Sequence, residues 1–224
     1  MTLIIALDPP TGVDPVEWCR SIFERTRDIA TGFKIGLPAI VEAGASRIGE
    51  VFRGFDGLVI ADLKLADIGD IMALTVEKLA RCGFNAVIAH AFVGYERGLS
   101  TLSEKCRELG VKLVAVVSMS HPGSVEVMDG VVEKLISVVE RARCWGVVAP
   151  ATRPEMVRFV RSRLSWVKIL SPGVGAQGAR PGDALCAGAD YEIVGRAITR
   201  SSDPREAARR VVEEQRRALE RCRA

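Results

Sequence analysis

Eight short apolar runs recur along the 224 residues, and each is followed by a stretch in which apolar side chains return every three or four positions. The short runs read as buried strands and the longer period as amphipathic helices. The strands fall at residues 3–8, 32–36, 58–64, 86–90, 112–118, 145–149, 167–170 and 191–194. Helices are expected from Asp14 or Pro15, from Pro38, over 71–82 and 98–109, after Gly123, from a capping Thr152, over 183–187 and over 203–222. Strand–helix alternation makes the strands parallel, and eight such units in a chain of this length predict an α/β fold. The expectation is a closed (β/α)8 TIM barrel as a single domain over residues 1–224, rather than an open doubly wound sheet.

Active sites of such barrels form at the C-terminal ends of the strands. At the third, Leu58-Val59-Ile60-Ala61 runs straight into Asp62-Leu63-Lys64-Leu65-Ala66-Asp67. Period-two alternation puts Asp62 and Lys64 on one side and Leu63 and Leu65 on the other. Asp67 lies past the strand, from where its carboxylate is expected to return toward Lys64. A lysine between carboxylates keeps its proton and serves as an acid, not as a Schiff-base nucleophile. A surface salt bridge is the bland alternative; the buried run before the charges argues against it, because charges there are costly unless paired. Asp8, Lys34, Ser120, Gln177 and Arg196 also fall at or just after strand ends. Lys34, a cation, opposes a metal beside Asp62.

Gly173-Val174-Gly175-Ala176-Gln177-Gly178 after strand seven and Gly195-Arg196 after strand eight occupy the place where barrels commonly hold a phosphate. The loop is too late in the chain for a dinucleotide fingerprint, and no ribose-binding acid follows it at the usual spacing. Neither histidine belongs to a triad: His121, before Pro122, reads as a structural hydrogen-bonding residue, and His90 as a group at one remove from the site. The six cysteines lie far apart with no Cys-x-x-Cys pair, and are expected to be mostly reduced and buried or half-buried. A formal net charge of +3 from well-mixed charges does not indicate nucleic-acid binding. No basic leader or 18-residue apolar span marks a membrane protein, so a soluble cytoplasmic protein is expected.

Six stretches in order carry a resemblance that covers essentially the whole chain. They are Leu7-Asp8, Phe33-Lys34-Ile35-Gly36, Asp62-x-Lys64-x-Ala66-Asp67-Ile68, Met119-Ser120-His121-Pro122-Gly123, Ser171-Pro172-Gly173-Val174-Gly175-Ala176-Gln177-Gly178 and Val194-Gly195-Arg196. The chain resembles the orotidine 5'-monophosphate decarboxylases of the compact type common in archaea. The resemblance implies decarboxylation of orotidine 5'-monophosphate to uridine 5'-monophosphate, with no cofactor and no metal, as the last step of de novo pyrimidine synthesis. Lys64 would protonate the developing C6 carbanion, and Asp62 would press on the departing carboxylate. Lys34 and Asp8 would complete an alternating charge network and bind ribose hydroxyls. Asp67 would reach into the neighbouring site of a homodimer, with Ile68 lining the pyrimidine pocket. Ser120 would read the pyrimidine edge, Gln177 would bridge base and phosphate, and Gly195 with Arg196 would hold the phosphate. Pro172 and Val174 would belong to the closing loop.

The chain departs from the family pattern after Ile68, where Gly69 replaces a frequent proline and Ile71 a frequent threonine; Thr75 lies one turn on. Magnesium-dependent sugar-phosphate enzymes of the same superfamily, such as hexulose-phosphate synthase, share the Asp-x-Lys-x-x-Asp motif. They carry an acidic metal ligand where this chain has Lys34. A catalytically silent phosphate-binding barrel is the remaining alternative, and the full charged set with Ser120 argues against it.

Overall fold

The computed structural model describes residues 2–223. Its eight parallel strands are β1 (Leu3–Leu7), β2 (Gly32–Gly36), β3 (Leu58–Leu65), β4 (Ala86–His90), β5 (Lys112–Val116), β6 (Gly146–Val148), β7 (Lys168–Val174) and β8 (Tyr191–Val194). They pair in chain order and close through β8 and β1, so the expected TIM barrel is the fold observed. The helices form the outer layer because each turns an apolar stripe inward: Ile22, Phe23 and Cys19 of Pro15–Thr26, or Leu135, Ile136 and Val139 of Val132–Ala142, are buried against the strands. Four phenylalanines, Phe23, Phe33, Phe52 and Phe55, meet mostly edge-on beside β2 at centroid distances of 5.1–5.6 Å. Among the described residues, no helix is long and apolar enough to cross a membrane.

Several boundaries differ from the expected ones for identifiable reasons. β7 runs on to Val174, so Pro172 and Val174 belong to a strand end and not to a loop. Proline is tolerated there because the β7–β8 register shifts between Pro172 and Val174. The helix opened by Pro38 breaks at Gly44, whose φ of +83° ends Leu37–Ala43 and starts Ala45–Glu50. Thr152 is not a cap: Arg153 precedes the helix Pro154–Arg163, with no side-chain capping bond. A short helix, Arg196–Thr199, follows β8 directly.

At the opposite face from the strand C-termini, buried Glu192 of β8 holds the C-terminal helix, Pro204–Arg223, to the barrel. Its carboxylate accepts a hydrogen bond from Gln215 Nε2 at 3.0 Å. The expectation of mostly reduced cysteines holds for Cys19, Cys106 and Cys144, buried thiols pushed up to about 12 by desolvation, and for half-buried Cys82. The other two, Cys186 and Cys222, are exposed and joined in a disulfide 36 residues apart in sequence. Spacing could not pair them, since only the docking of the C-terminal helix brings them together. In the chain-entropy account, a link of that span is worth about 4 kcal/mol.

Candidate active site

Inward-pointing residues alternate along each strand, and at the C-terminal end of the barrel they change from aliphatic to charged. Lys34 pairs in register with Ala6 of β1 and Ile60 of β3, while Gly36 faces Asp62. Lys34 Nζ donates to Asp62 Oδ2 at 2.7 Å. Gly36 makes room for Asp8, since a Cβ there would stand 2.0 Å from Asp8 Oδ1.

From the other side, Lys64 Nζ donates to Asp62 Oδ1 at 2.8 Å. The backbone arranges this by leaving the regular ladder. β3 and β4 pair at Ala61–Val87 and again at Leu65–Ala89, so β3 bulges between them. Within the bulge Lys64 takes a left-handed conformation, φ +45°. The Lys34–Asp62–Lys64 part of the alternating network that the resemblance implies is therefore present, while the second carboxylate expected beside Lys64 is not. Asp62 is a carboxylate between two ammonium groups, and Asp67 does not return to Lys64. Asp67 is exposed, and its Oδ1 accepts a hydrogen bond from its neighbour Ile68 N–H at 2.7 Å.

Burial pushes the Asp62 pKa up, but the charges and hydrogen bonds of Lys34 and Lys64 outweigh it and hold the group below its ordinary 3.8. A carboxylate lowered in the folded state adds stability that is complete above 3.8 and is lost as pH falls through the folded value. Replacing it breaks a buried ion network, so Asp62→Asn is expected to destabilise the protein by about 3 kcal/mol at neutral pH. The gap between the two melting curves should narrow as the solution is acidified below 3.8. A gap indifferent to acid would show that Asp62 is not ionised in the folded protein.

These charges form one wall of a cavity of about 380 Å³, within the range of small-molecule sites. The cavity brings together Asp8, Lys34, Asp62, Lys64, Ser120, Pro172, Val174, Gln177, Gly195 and Arg196. Of the expected site residues, Asp67 and Ile68 stay outside it. Asp8 lines the wall without an ion pair within 4 Å among the described residues, so the alternating network stops at Lys34.

At the other end of the cavity, the loop after β7 is folded on itself. Gly175 N–H donates to Ala179 O, Gly178 N–H to Gly175 O and Ala179 N–H to Gly173 O. The glycines thus shape the loop instead of supplying free donors. Within the loop from Gly175 to Ala179, the N–H groups of Ala176 and Gln177 have no acceptor among the described residues. Gly175, at φ +78°, touches Ala197 beyond β8: a Cβ would stand 2.8 Å from that of Ala197. Loop and Arg196 are thereby held as one unit. Gly173, at φ +110°, sits where three loops converge; a Cβ there would lie 3.0 Å from Thr152, 3.2 Å from Gln177 Oε1 and 3.6 Å from Ser120.

A network absent from the sequence reading fixes the loop that carries Ser120. Arg153 donates to Ser118 Oγ at 2.8 Å and to Met119 O at 2.5 Å, and is ion-paired with Asp129. Ser118 Oγ also donates to Asp129 at 2.8 Å, and Met119 N–H to Ser124 Oγ at 2.9 Å. The one available signal was the position of Arg153 just past the end of β6. His121 lines the cavity; its carbonyl accepts from Ser124 N–H at 3.1 Å, and among the described residues its ring makes no hydrogen bond. His90 ends β4 outside the lining, its ring 4.6 Å from that of Phe92. Burial first, then Lys64, lowers its pKa below the ordinary 6.5 against the opposing pull of Asp62.

The departure after Ile68 has a steric basis. Gly69 opens the helix Gly69–Arg81 against the next connection, and a Cβ there would stand 2.6 Å from both Arg97 O and Thr101 Cβ. A proline would not fit. Thr75 does not stand in for the missing threonine, because its hydroxyl is spent on Ile71 O at 2.9 Å.

Comparison with known proteins agrees with this geometry. The model of the orotidine 5'-phosphate decarboxylase / HUMPS family matches residues 1–211. An orotidine 5'-phosphate decarboxylase of Aeropyrum pernix is 52% identical over 94% of this chain and 87% of its own. The crystal structure of orotidine 5'-monophosphate decarboxylase from Sulfolobus solfataricus superposes with a TM-score of 0.87 at 32% identity, covering 97% of this chain and 99% of that one. The enzyme from Methanocaldococcus jannaschii, complexed with inhibitor BMP, does so with a TM-score of 0.87 at 31% identity, over 96% and 98%. The chain belongs to the orotidine 5'-phosphate decarboxylase / HUMPS family.

Proposed function

We propose that the protein decarboxylates orotidine 5'-monophosphate to uridine 5'-monophosphate. The observation that carries the reading is Asp62 held between Lys34 and Lys64 at 2.7 and 2.8 Å, facing across one cavity a glycine-rich loop and Arg196. The phosphate is assigned to the Arg196 end, where the guanidinium offers a bidentate fork and the N–H groups of Ala176 and Gln177 are free. The pyrimidine then spans toward Ser120 and places its carboxylate at the charged wall.

In this pose Asp62 disfavours the bound carboxylate, and that repulsion is relieved as carbon dioxide leaves. The Lys64 ammonium stabilises the negative charge that develops at C6 and then donates its proton there. The aliphatic floor, including Ile88, Val116 and Val148, keeps the neighbourhood of that charge poor in water. The magnesium-dependent alternative fits less well. Both oxygens of Asp62 already face ammonium groups, which a divalent ion would have to displace.

The test is to incubate EDTA-treated protein with orotidine 5'-monophosphate and follow loss of its ultraviolet absorbance. Turnover is expected without added metal; no turnover, or turnover only with magnesium, overturns the reading. Arg196→Ala is expected to lower kcat/KM for the nucleotide by about 10²-fold or more, the value of a lost charged pair. It should hardly change the slower reaction of the nucleoside lacking phosphate. Equal losses for both substrates would assign Arg196 to the fold or the base pocket.

We further propose a homodimer in which Asp67 and Ile68 complete the partner's cavity. Three consecutive connections around the barrel expose Leu37 and Val41, Ile68, Ile71 and Leu74, and Phe92. An apolar surface of this kind marks an interaction site. Ile71, in place of threonine, makes it more apolar.

A further inference from the structure

The loop that follows β7 ends at Gly182, and that end is held from two directions. Gly182 N–H donates to both oxygens of Glu192, at 2.9 and 2.8 Å, and Ala184 N–H to one of them at 3.1 Å. Outside, the C-terminal helix presses so closely that a Cβ on Gly182, which has φ +95°, would stand 2.2 Å from that of Ala218. Gln215 of the same helix donates to Glu192 at 3.0 Å and accepts from Thr2 Oγ1 at 2.9 Å. Gln215, Ala218 and Cys222 recur at spacings of three and four, one face of a helix, and Cys222 is bonded to Cys186, four residues past Gly182.

We propose that Glu192 is a positioning residue for the phosphate end of the cavity, setting the loop 175–182 against Arg196 while the C-terminal helix clamps the assembly from outside. This rests on the reading of that loop and Arg196 as a phosphate site. Glu192 is completely buried, where a carboxylate is costly unless every oxygen is satisfied. A packing anchor would need no charge. What the charge provides here is one acceptor group that gathers the N–H groups of Gly182 and Ala184 and the Gln215 amide. Its own backbone leads in three residues to Gly195 and Arg196. One side chain therefore ties the return limb of the loop to the strand that carries the arginine. Burial raises the Glu192 pKa above its ordinary 4.5, and the hydrogen bonds from Gly182, Gln215 and Ala184 offset that only in part.

The experiment compares wild type and Glu192→Gln, in the full-length chain, on orotidine 5'-monophosphate and on orotidine, with folding checked by circular dichroism. Glutamine keeps the shape but turns one acceptor into a donor facing other donors. For the nucleotide, kcat/KM is expected to fall about tenfold, mostly through KM, as loss of a hydrogen bond to a charged group implies. For the nucleoside it should change less than about twofold. Equal losses on both substrates, or none on either, in a folded variant would overturn the assignment. If Glu192→Gln does not fold, Gln215→Ala decides, with a smaller loss confined to the nucleotide supporting the role and any other pattern rejecting it. A wild type that turns over neither substrate would instead refute the functional reading, and this assignment with it.

Discussion

Lys64→Ala is expected to reduce decarboxylation by at least about 10³-fold while leaving a folded protein, because on the proposed mechanism it removes both the acid and the cation beside the developing charge. The lysine side chain is about 40% exposed at the cavity wall, so its removal leaves no hole in the core. Asp62 keeps one ammonium, Lys34, at 2.7 Å. Stability should therefore fall far less than activity. Thermal melting and single-turnover assays on the same preparation check the two halves together. Near-normal turnover would exclude Lys64 as the acid, whereas an unfolded variant would mean that the Lys34–Asp62 pair cannot persist alone.

Mixing two inactive proteins should restore activity. If Asp67 completes the partner's cavity, each site takes Lys64 from one subunit and Asp67 from the other, as an isologous two-fold interface permits. Lys64→Ala and Asp67→Asn are first purified separately, then dissociated, mixed and reassociated. A hybrid dimer has one site with both native residues and one site with neither. Random reassortment makes about half of the dimers hybrids, so about a quarter of all sites should regain wild-type turnover. If Asp67 served its own subunit, every hybrid site would carry one defect. Subunit exchange demonstrated by mass labelling, with no recovery, would reject the shared site. The exposed position of Asp67, outside the cavity of its own chain, is what makes the experiment worth doing.

How far the sequence announced this arrangement depended on how local each feature is. β2, β4 and β8 have the bounds read from the sequence, because apolar runs there stop at Gly36, His90 and Gly195. β7 was cut short because Pro172 and Gly173 are strand breakers in general, and only the shifted register with β8 makes them acceptable here. Asp62, Lys64 and Lys34 were legible as one cluster, since alternation along a strand and the common end of a barrel place them together. The left-handed backbone from which Lys64 reaches Asp62 was not, because it depends on a bulge in β3 opposite β4. Arg153, Asp129, Ser118 and Ser124 escaped for the same reason on a larger scale: the connections after two different strands supply them. Cys186 and Cys222 meet only across a docked helix.

The left-handed backbone at Lys64 sets stability against activity within one residue. Any side chain bearing a Cβ holds that conformation at a cost of roughly 1–2 kcal/mol, and glycine does not. Lys64→Gly should therefore melt higher than Lys64→Ala, although neither is expected to turn over. A search for heat-resistant variants at this position that never measured turnover would therefore rank glycine above alanine. At this position the backbone favours glycine while the ion pair with Asp62 favours the lysine.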